Sequence, residues 1–294
     1  MNKTVMAIIA HADDAAGMCG GTLIKLAEEG WNVVLLRVTN DDKDTMSLPD
    51  RTVTEQVNKS EFMEAAKLLR ANEVVELGFV TDVLGDVSMV DLRERIVYNF
   101  RKYQPYRVIT FDPYAIYEPN LDHVRVAQAV EEAYWVSNFH LHYPEHLTEG
   151  FQPHAVCERW YFARVPVAPN HVVDITPYIE QKIDAMAAHD QMVRNTLHQI
   201  QLQLKTWGRQ VPMIDEALRG NLRPLLADFI RANGQYVAEQ YGLGSGHYAE
   251  VFRVNRFGVW EDFVQKNSLP LPNEPDDLRN LPAFEPSHAQ RLFN

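Results

Sequence analysis

Residues 4–38 read TVMAIIAHADDAAGMCGGTLIKLAEEGWNVVLLRV, and this stretch decides the class of fold. Thr4–Ala10 is a nearly continuous apolar run, which is typical of a strand buried on both faces of a parallel sheet. Ala15–Glu29 then carries apolar side chains at helical spacing, and Gly30 ends that helix. Asn32–Val38 is a second buried strand. A strand, a helix and a strand in this order predict a βαβ unit.

The same alternation continues to residue 136. Further strands are predicted at Glu73–Leu77 and Arg107–Phe111, and further helices at Thr52–Arg70, Ser88–Tyr103 and Asp122–Val136. We therefore expect an α/β fold with a mostly parallel sheet and helices on both faces.

The second half of the chain is less regular. Strands are predicted at Arg159–Val165 and His171–Val173, followed by an almost wholly helical stretch from Thr176 to Tyr241 with a break around Gly208–Pro212. Residues after Gln265 are rich in proline, which cannot sustain a regular helix. The expected organisation is an α/β domain over residues 1–190, a helical extension over 191–264 that completes the pocket, and a Pro-rich tail over 265–294.

Charge and composition exclude several classes of protein. The chain has 28 Lys and Arg against 40 Asp and Glu, a net charge of −12, whereas proteins that grip nucleic acid usually carry a basic excess. No apolar run approaches the roughly 18 residues of a membrane span. Cys19 and Cys157 cannot build a disulfide framework. We expect a cytoplasmic protein with no nucleic-acid or membrane partner.

Histidines and carboxylates follow two of the predicted strands. His11, Asp13 and Asp14 come directly after the first strand, and His123 opens the helix that follows the fourth. Ligands of open parallel sheets bind beyond the carboxyl ends of the strands, and strands one and four can be neighbours there. His11, Asp14 and His123 would then form the His₂–carboxylate ligand set of a catalytic zinc site. A loop that merely starts a helix, with Asp14 as its N-cap, is the alternative.

The motifs resemble those of the PIG-L, or LmbE-like, family of metal-dependent N-deacetylases. The family's A-H-P-D-D-x-x-x-G-x-G-G-T-L reads here as residues 10–23, and its D-P segment followed by H-P-D-H reads as Asp112-Pro113 and residues 120–123. Its V-D-I-T, K-x-x-A and A-H-x-S-Q elements match residues 173–191, and Gly246–Phe252 resembles its late A-E-x-F element. The resemblance implies a Rossmann-like fold.

The resemblance also implies roles for individual residues. His11, Asp14 and His123 would hold one Zn²⁺ per chain, and Asp13 would be the general base. Three further residues are candidates for the second shell or for substrate contact: Asp82, which matches an acidic position of the sugar deacetylases, Asp122, which could instead be an N-cap, and His247.

Two departures from the family pattern bear on the chemistry. Asn120 stands where the family has the first histidine of H-P-D-H, which helps to stabilise the oxyanion; an amide can donate a hydrogen bond there but cannot carry a proton. The family's R-x-x-E on the second helix appears as Asn58-Lys59-Ser60-Glu61, so an arginine that often meets substrate is absent.

These observations predict a zinc-dependent N-deacetylase or amidase, a hydrolase of linear C–N amide bonds that acts on an N-acylated amino sugar or a related small molecule. A metal-dependent hydratase or lyase of a small unsaturated acid on the same scaffold is the alternative function. We further expect a homo-oligomer.

Overall fold

The computed structural model describes residues 3–269 and residue 271. Its strands are β1 (Thr4–Ile9), β2 (Asn32–Thr39), β3 (Glu73–Phe79), β4 (Arg107–Phe111), β5 (Glu158–Phe162), β6 (His171–Asp174) and β7 (Ala249–Asn255). Its helices are α1 (Asp14–Glu28), α2 (Arg51–Leu68), α3 (Met89–Tyr103), α4 (Leu121–Val136), α5 (Glu145–Thr148), α6 (Ile179–Ala187), α7 (Asp190–Trp207), α8 (Pro212–Arg219), α9 (Arg223–Gln240) and α10 (Glu261–Asn267).

All seven strands of the described region belong to one sheet, in the order β3-β2-β1-β4-β5-β7-β6. The five strands from β3 to β5 in that order pair in parallel, and β7 runs antiparallel to both of its neighbours. The predicted mostly parallel α/β fold is confirmed. The pairing of β1 with β4, which the proposed site requires, is also present.

The centre of the sheet is buried on both faces. Every residue of β1 is inaccessible to solvent, as is nearly all of β2. Successive side chains of a strand point to opposite faces, so this burial requires layers on both sides of the sheet. The uninterrupted apolar runs of the sequence reflect that environment.

A kink in α1 brings the C-terminal part of the chain against the first helix. Cys19 leaves helical geometry (φ −142°, ψ 17°), and the backbone N–H groups of Gly21 and Thr22 donate to the carboxylate of Glu250 on β7, at 3.0 and 2.8 Å. A Cβ atom on Gly21 would lie 2.7 Å from the Cβ atom of Ile175, a separation that side chains do not tolerate. The glycine is therefore required by close approach, and Glu250 supplies acceptors that the kinked helix lacks.

The C-terminal half differs from the prediction in one element. The stretch from residue 176 contains α6–α9, with the expected break between α7 and α8, but the predicted helical extension over residues 191–264 is not helical throughout. It includes β7, which inserts between β5 and β6. Beyond position 271, the predicted Pro-rich tail lies outside the described residues. None of the helices in the described region is long and apolar enough to span a membrane.

Candidate metal centre

The ends of β1 and β4 bring together the three side chains that the motifs single out. His11 follows β1, Asp14 begins α1, and His123 lies in the first turn of α4. His11 Nδ1 is 3.1 Å from His123 Nε2 and 3.7 Å from Asp14 Oδ2, and His123 Nε2 is 3.3 Å from Asp14 Oδ1. All three residues are buried.

This spacing suits a divalent metal. Bonds of about 2.0–2.2 Å to a tetrahedral Zn²⁺ place its ligand atoms roughly 3.2–3.6 Å from one another. The two ring nitrogens and the two oxygens of Asp14 lie 3.1–3.7 Å from one another in the measured pairs, close to those separations. The chemistry of the set, two imidazoles and one carboxylate, is also that of a catalytic zinc site with a further coordination position for water.

Each histidine of the group has a second carboxylate at its other nitrogen. Asp122 Oδ2 lies 3.4 Å from His11 Nε2, and Glu118 Oε1 lies 3.2 Å from His123 Nδ1. Such outer carboxylates fix the orientation and tautomer of metal-binding imidazoles. The sequence predicted Asp122 as such a residue but not Glu118. Its only sign in the sequence is that an acidic residue stands five positions before His123.

The carboxylates dominate the electrostatics of the group. Burial lowers the pKa of His11, but its contact with Asp122 and the charge of Asp14 outweigh burial and raise it to about 10. Burial likewise lowers the pKa of His123, and the charge of Asp14 with the close approach of the Asp14 and Glu118 carboxylates raises it to about 9. The carboxylates therefore favour positive charge at His11, Asp14 and His123. Protonation of the two histidines or a bound cation would supply that charge.

Asp13 occupies the N-cap position of α1, but its side chain makes no capping hydrogen bond. Burial, followed by the charge of Asp14, raises the pKa of Asp13 to about 7, while His11 opposes the shift. Asp14 is the first helical residue, not the N-cap that the alternative required, and its Oδ2 accepts the His11 backbone N–H at 2.7 Å. Asp13 is thus a carboxylate beside the group with no structural hydrogen bond of its own at the helix end.

Asn120 is the N-cap of α4. Its Oδ1 accepts the backbone N–H of Asp122 at 2.9 Å, which fixes the start of the helix that carries His123. Asp122 is therefore not the N-cap. Its carboxylate instead accepts the backbone N–H groups of Asp82 and Leu84, at 2.7 and 3.2 Å.

The remaining predicted site residues fall in two places. Asp82 is exposed on the loop after β3, joined to the group through Asp122. His247 is roughly half exposed, and its Nδ1 lies 2.9 Å from Asp174 Oδ2. No hydrogen bond or ion pair in the described region links His247 to His11, Asp14 or His123, and its role in substrate contact stays a prediction.

Asp41 and Asp44, on the loop after β2, form a second group with His11 that has suitable ligand spacing. Asp41 is already saturated: its carboxylate accepts from Ala12 N at 3.1 Å, Arg37 Nη1 at 2.7 Å and Thr39 Oγ1 at 3.0 Å. We therefore assign Asp41 to holding the ends of β1 and β2 together.

Asn58, which replaces the arginine of the family's R-x-x-E on the second helix, has a structural role here. Its Nδ2 donates to the backbone carbonyls of Asp41 and Asp44, at 2.8 and 3.1 Å. Glu61, which retains the family's acid, accepts the backbone N–H of Gln191 at 3.0 Å. The amide at position 58 thus secures the acidic loop beside the group.

A cavity of about 30 Å³ adjoins the group on the side of Glu118 and His123, lined also by Phe111, Asp112, Pro113, Ala115, Val124, Phe162 and Ala163. Small-molecule sites usually enclose about 300–1,000 Å³. This cavity is too small for a sugar ring.

Known proteins resemble this chain in sequence. The PIG-L family model, described as GlcNAc-PI de-N-acetylase, matches residues 6–134. Diacetylchitobiose deacetylase of Thermococcus kodakarensis is 29% identical over 196 residues, which cover 64% of this chain and 69% of that protein.

Solved structures share the fold. N,N'-diacetylchitobiose deacetylase of Pyrococcus horikoshii, in complex with its inhibitor MPG, superposes with a TM-score of 0.70 at 23% identity, covering 92% of this chain and 88% of that one. The 4-carboxy-2-hydroxymuconate hydratase GalB of Pseudomonas putida superposes with a TM-score of 0.63 at 16% identity, covering 93% and 99%. Residues 6–134 thus match the PIG-L family model and the chain is homologous to diacetylchitobiose deacetylase, in agreement with the resemblance carried by the motifs of residues 10–23.

Proposed function

We propose that this protein is a metal-dependent N-deacetylase that removes an acetyl or another small acyl group from an amino-sugar-like substrate. The observation that carries the proposal is the convergence of His11 Nδ1, His123 Nε2 and the Asp14 carboxylate within 3.1–3.7 Å, next to the uncommitted carboxylate of Asp13. The similarity to diacetylchitobiose deacetylase supports the class of substrate.

His11, Asp14 and His123 would hold the metal, with Zn²⁺ as the proposed ion. Bound there, the metal would supply Lewis acidity toward water and toward the amide carbonyl. Its positive charge would also favour the ionised form of the nearby Asp13.

Asp13 would move the proton. As a carboxylate it accepts a proton from the attacking water, and as a carboxylic acid it delivers that proton to the departing amine nitrogen. Asn120, at the start of α4, is the proposed amide donor to the oxygen that gains charge as water adds.

Two acceptors orient the two histidines during this cycle. Asp122 and Glu118 lie against the ring nitrogens that face away from the proposed metal, at 3.4 and 3.2 Å. The histidines would therefore act as fixed ligands, and Asp13 is the group that we propose to carry the proton.

Zn²⁺-loaded protein should be incubated with N,N'-diacetylchitobiose, N-acetylglucosamine and N-acylated thiol conjugates, with free amine and carboxylic acid measured together. Equal release of the two, abolished by chelation and restored by metal, is the expected result. Consumption of an unsaturated acid without amine release would overturn the proposal in favour of a hydratase, the alternative that the sequence left open.

A further inference from the structure

Glu118 is a buried carboxylate at the turn that leads into α4. Its side chain is 7% exposed, so its charge requires partners. One oxygen accepts the Asn120 backbone N–H at 3.0 Å and lies 3.2 Å from His123 Nδ1, while Arg164 approaches at 3.3–3.4 Å from the surface. Tyr117, just before it, has a left-handed backbone (φ 60°), an uncommon conformation for a tyrosine.

The ring of His123 is held in plane from one face. Phe111 stacks against it with ring centroids 4.1 Å apart and planes 18° from parallel. Stacking restricts the tilt of the imidazole but does not decide which nitrogen carries the proton. The tautomer is set by the hydrogen-bond acceptor beside a ring nitrogen. The acceptor beside Nδ1 is Glu118. The two groups approach closely without the alignment of a full hydrogen bond.

His11 is arranged in the opposite sense. Its Nε2 faces Asp122, and its Nδ1 faces the group, whereas His123 presents Nε2 to the group and Nδ1 to its carboxylate. A neutral imidazole has one N–H and one lone pair, so an acceptor at one nitrogen leaves the lone pair on the other.

We infer that Glu118 is a positioning residue that holds His123 as the Nδ1–H tautomer with Nε2 as the ligand atom, while Asp122 holds His11 as the opposite, Nε2–H tautomer. This inference rests on the proposed metal-dependent function. It concerns how the chain prepares the ligands and does not involve the substrate.

Metal affinity provides the first test. Outer carboxylates on ligand histidines typically contribute ~10–100-fold to metal affinity. Glu118→Leu should weaken Zn²⁺ binding by about that factor in a chelator competition. Glu118→Gln, which keeps an oxygen acceptor for Nδ1–H and for Asn120 N–H, should lose much less. Arg164→Ala removes the exposed partner of the same carboxylate and should leave affinity unchanged.

The second test observes the tautomers directly. Nitrogen-15 NMR of histidine-labelled, Zn²⁺-loaded protein should show His11 protonated at Nε2 and His123 protonated at Nδ1. The His123 pattern should persist in Glu118→Gln and be lost or averaged in Glu118→Leu. Thermal unfolding of each metal-free variant checks that the fold is intact.

The outcomes separate the two proposals. Tight metal binding by the native protein with unchanged affinity and tautomer in Glu118→Leu overturns the positioning role and leaves the deacetylase proposal standing. The same tautomer on both histidines also overturns it. Absence of metal binding by the native protein overturns the metal-dependent function and this inference together.

Discussion

Lys182 and Glu250 form a buried ion pair beneath the kink of α1. Lys182 Nζ also donates to the Gly17 carbonyl at 2.8 Å, while Glu250 accepts the two N–H groups beyond the kink. The pair therefore supplies hydrogen-bond partners to backbone groups on both sides of the kink in α1. The first turn of this helix carries Asp14.

Glu250→Gln should destabilise the fold by about 3–5 kcal/mol, because it leaves the Lys182 ammonium buried without a countercharge. Adding Lys182→Met should recover part of that loss, since it removes the uncompensated charge. Urea unfolding of the two single variants and the double variant measures the coupling. Strictly additive losses would contradict the role of the pair.

Removal of His123 should remove the metal. His123→Ala deletes one of three donors that the structure brings within 3.7 Å of one another, so elemental analysis after dialysis should fall from about one Zn²⁺ per chain toward none. His247→Ala is the matched control, because its imidazole pairs with Asp174 and should not affect loading. Full loading of His123→Ala would show that the ligand set is wrong.

Asp13→Asn should separate metal binding from catalysis. The amide cannot accept the proton of water, and loss of a general base typically costs ~10²–10⁴ in rate. Because Asp13 is not among the ligands, Zn²⁺ content should stay native. Native turnover by the metal-replete variant would exclude Asp13 as the base.

Asn120 combines a structural and a proposed catalytic role, and two substitutions divide them. Asn120→Asp keeps an oxygen to cap α4 but has no donor when ionised; Asn120→Ala loses both. If the amide stabilises the oxyanion, kcat should fall at least ~10²–10³-fold in both variants, whereas only Asn120→Ala should lose about 1 kcal/mol of stability. A nearly native kcat in Asn120→Asp would restrict this residue to capping.

Asn120→His adds a titration to the same position. Its activity should acquire a pH dependence near ~6–7, where histidine changes charge and asparagine does not. A pH–kcat profile that overlays the native one would contradict a place for this side chain at the reacting oxygen.

His189 should make the fold sensitive to acid. Its side chain is fully buried, neither ring nitrogen has a hydrogen-bond partner in the described region, and burial lowers its pKa from 6.5 to about 4. Between these values the unfolded chain binds a proton that the folded chain does not. Stability should therefore fall as pH drops from about 6.5 to 4, by up to roughly 3 kcal/mol from this group.

His189→Leu tests that prediction. The variant loses no hydrogen bond, so its stability at pH 7.5 should be close to native, and its decline toward pH 4.5 should be shallower. Urea unfolding of both metal-free proteins at the two pH values gives the comparison. Parallel declines would show that His189 does not contribute.

The central strands could be predicted from sequence because their environment is uniform. Burial on both faces leaves a continuous apolar run in β1 and β2 that little else produces. β7 could not, since Glu250 and Arg253 interrupt it. Their charges are compensated by Lys182 and Asp112, which are 68 and 141 residues away along the chain.

The sequence predicted which residues belong to the candidate site, but not which of them contact one another. The motifs nominate His11, Asp14 and His123, but they left Asp122 as either a second-shell residue or the N-cap of α4. Only the fold shows Asp122 turned toward His11. The inward position of Glu118 depends on a loop conformation, including the positive φ of Tyr117, that residue spacing does not encode.

The insertion of β7 between β5 and β6 sets an order for assembly during synthesis. β6 has no other strand partner in the described sheet, and the kink of α1 lacks its carboxylate, until residues 249–255 have left the ribosome. The helix that begins at Asp14 is thus among the first to be made and among the last to be secured. A nascent chain halted before residue 249 would carry every proposed metal ligand but not the finished support of α1, and chaperones would meet it with that support missing.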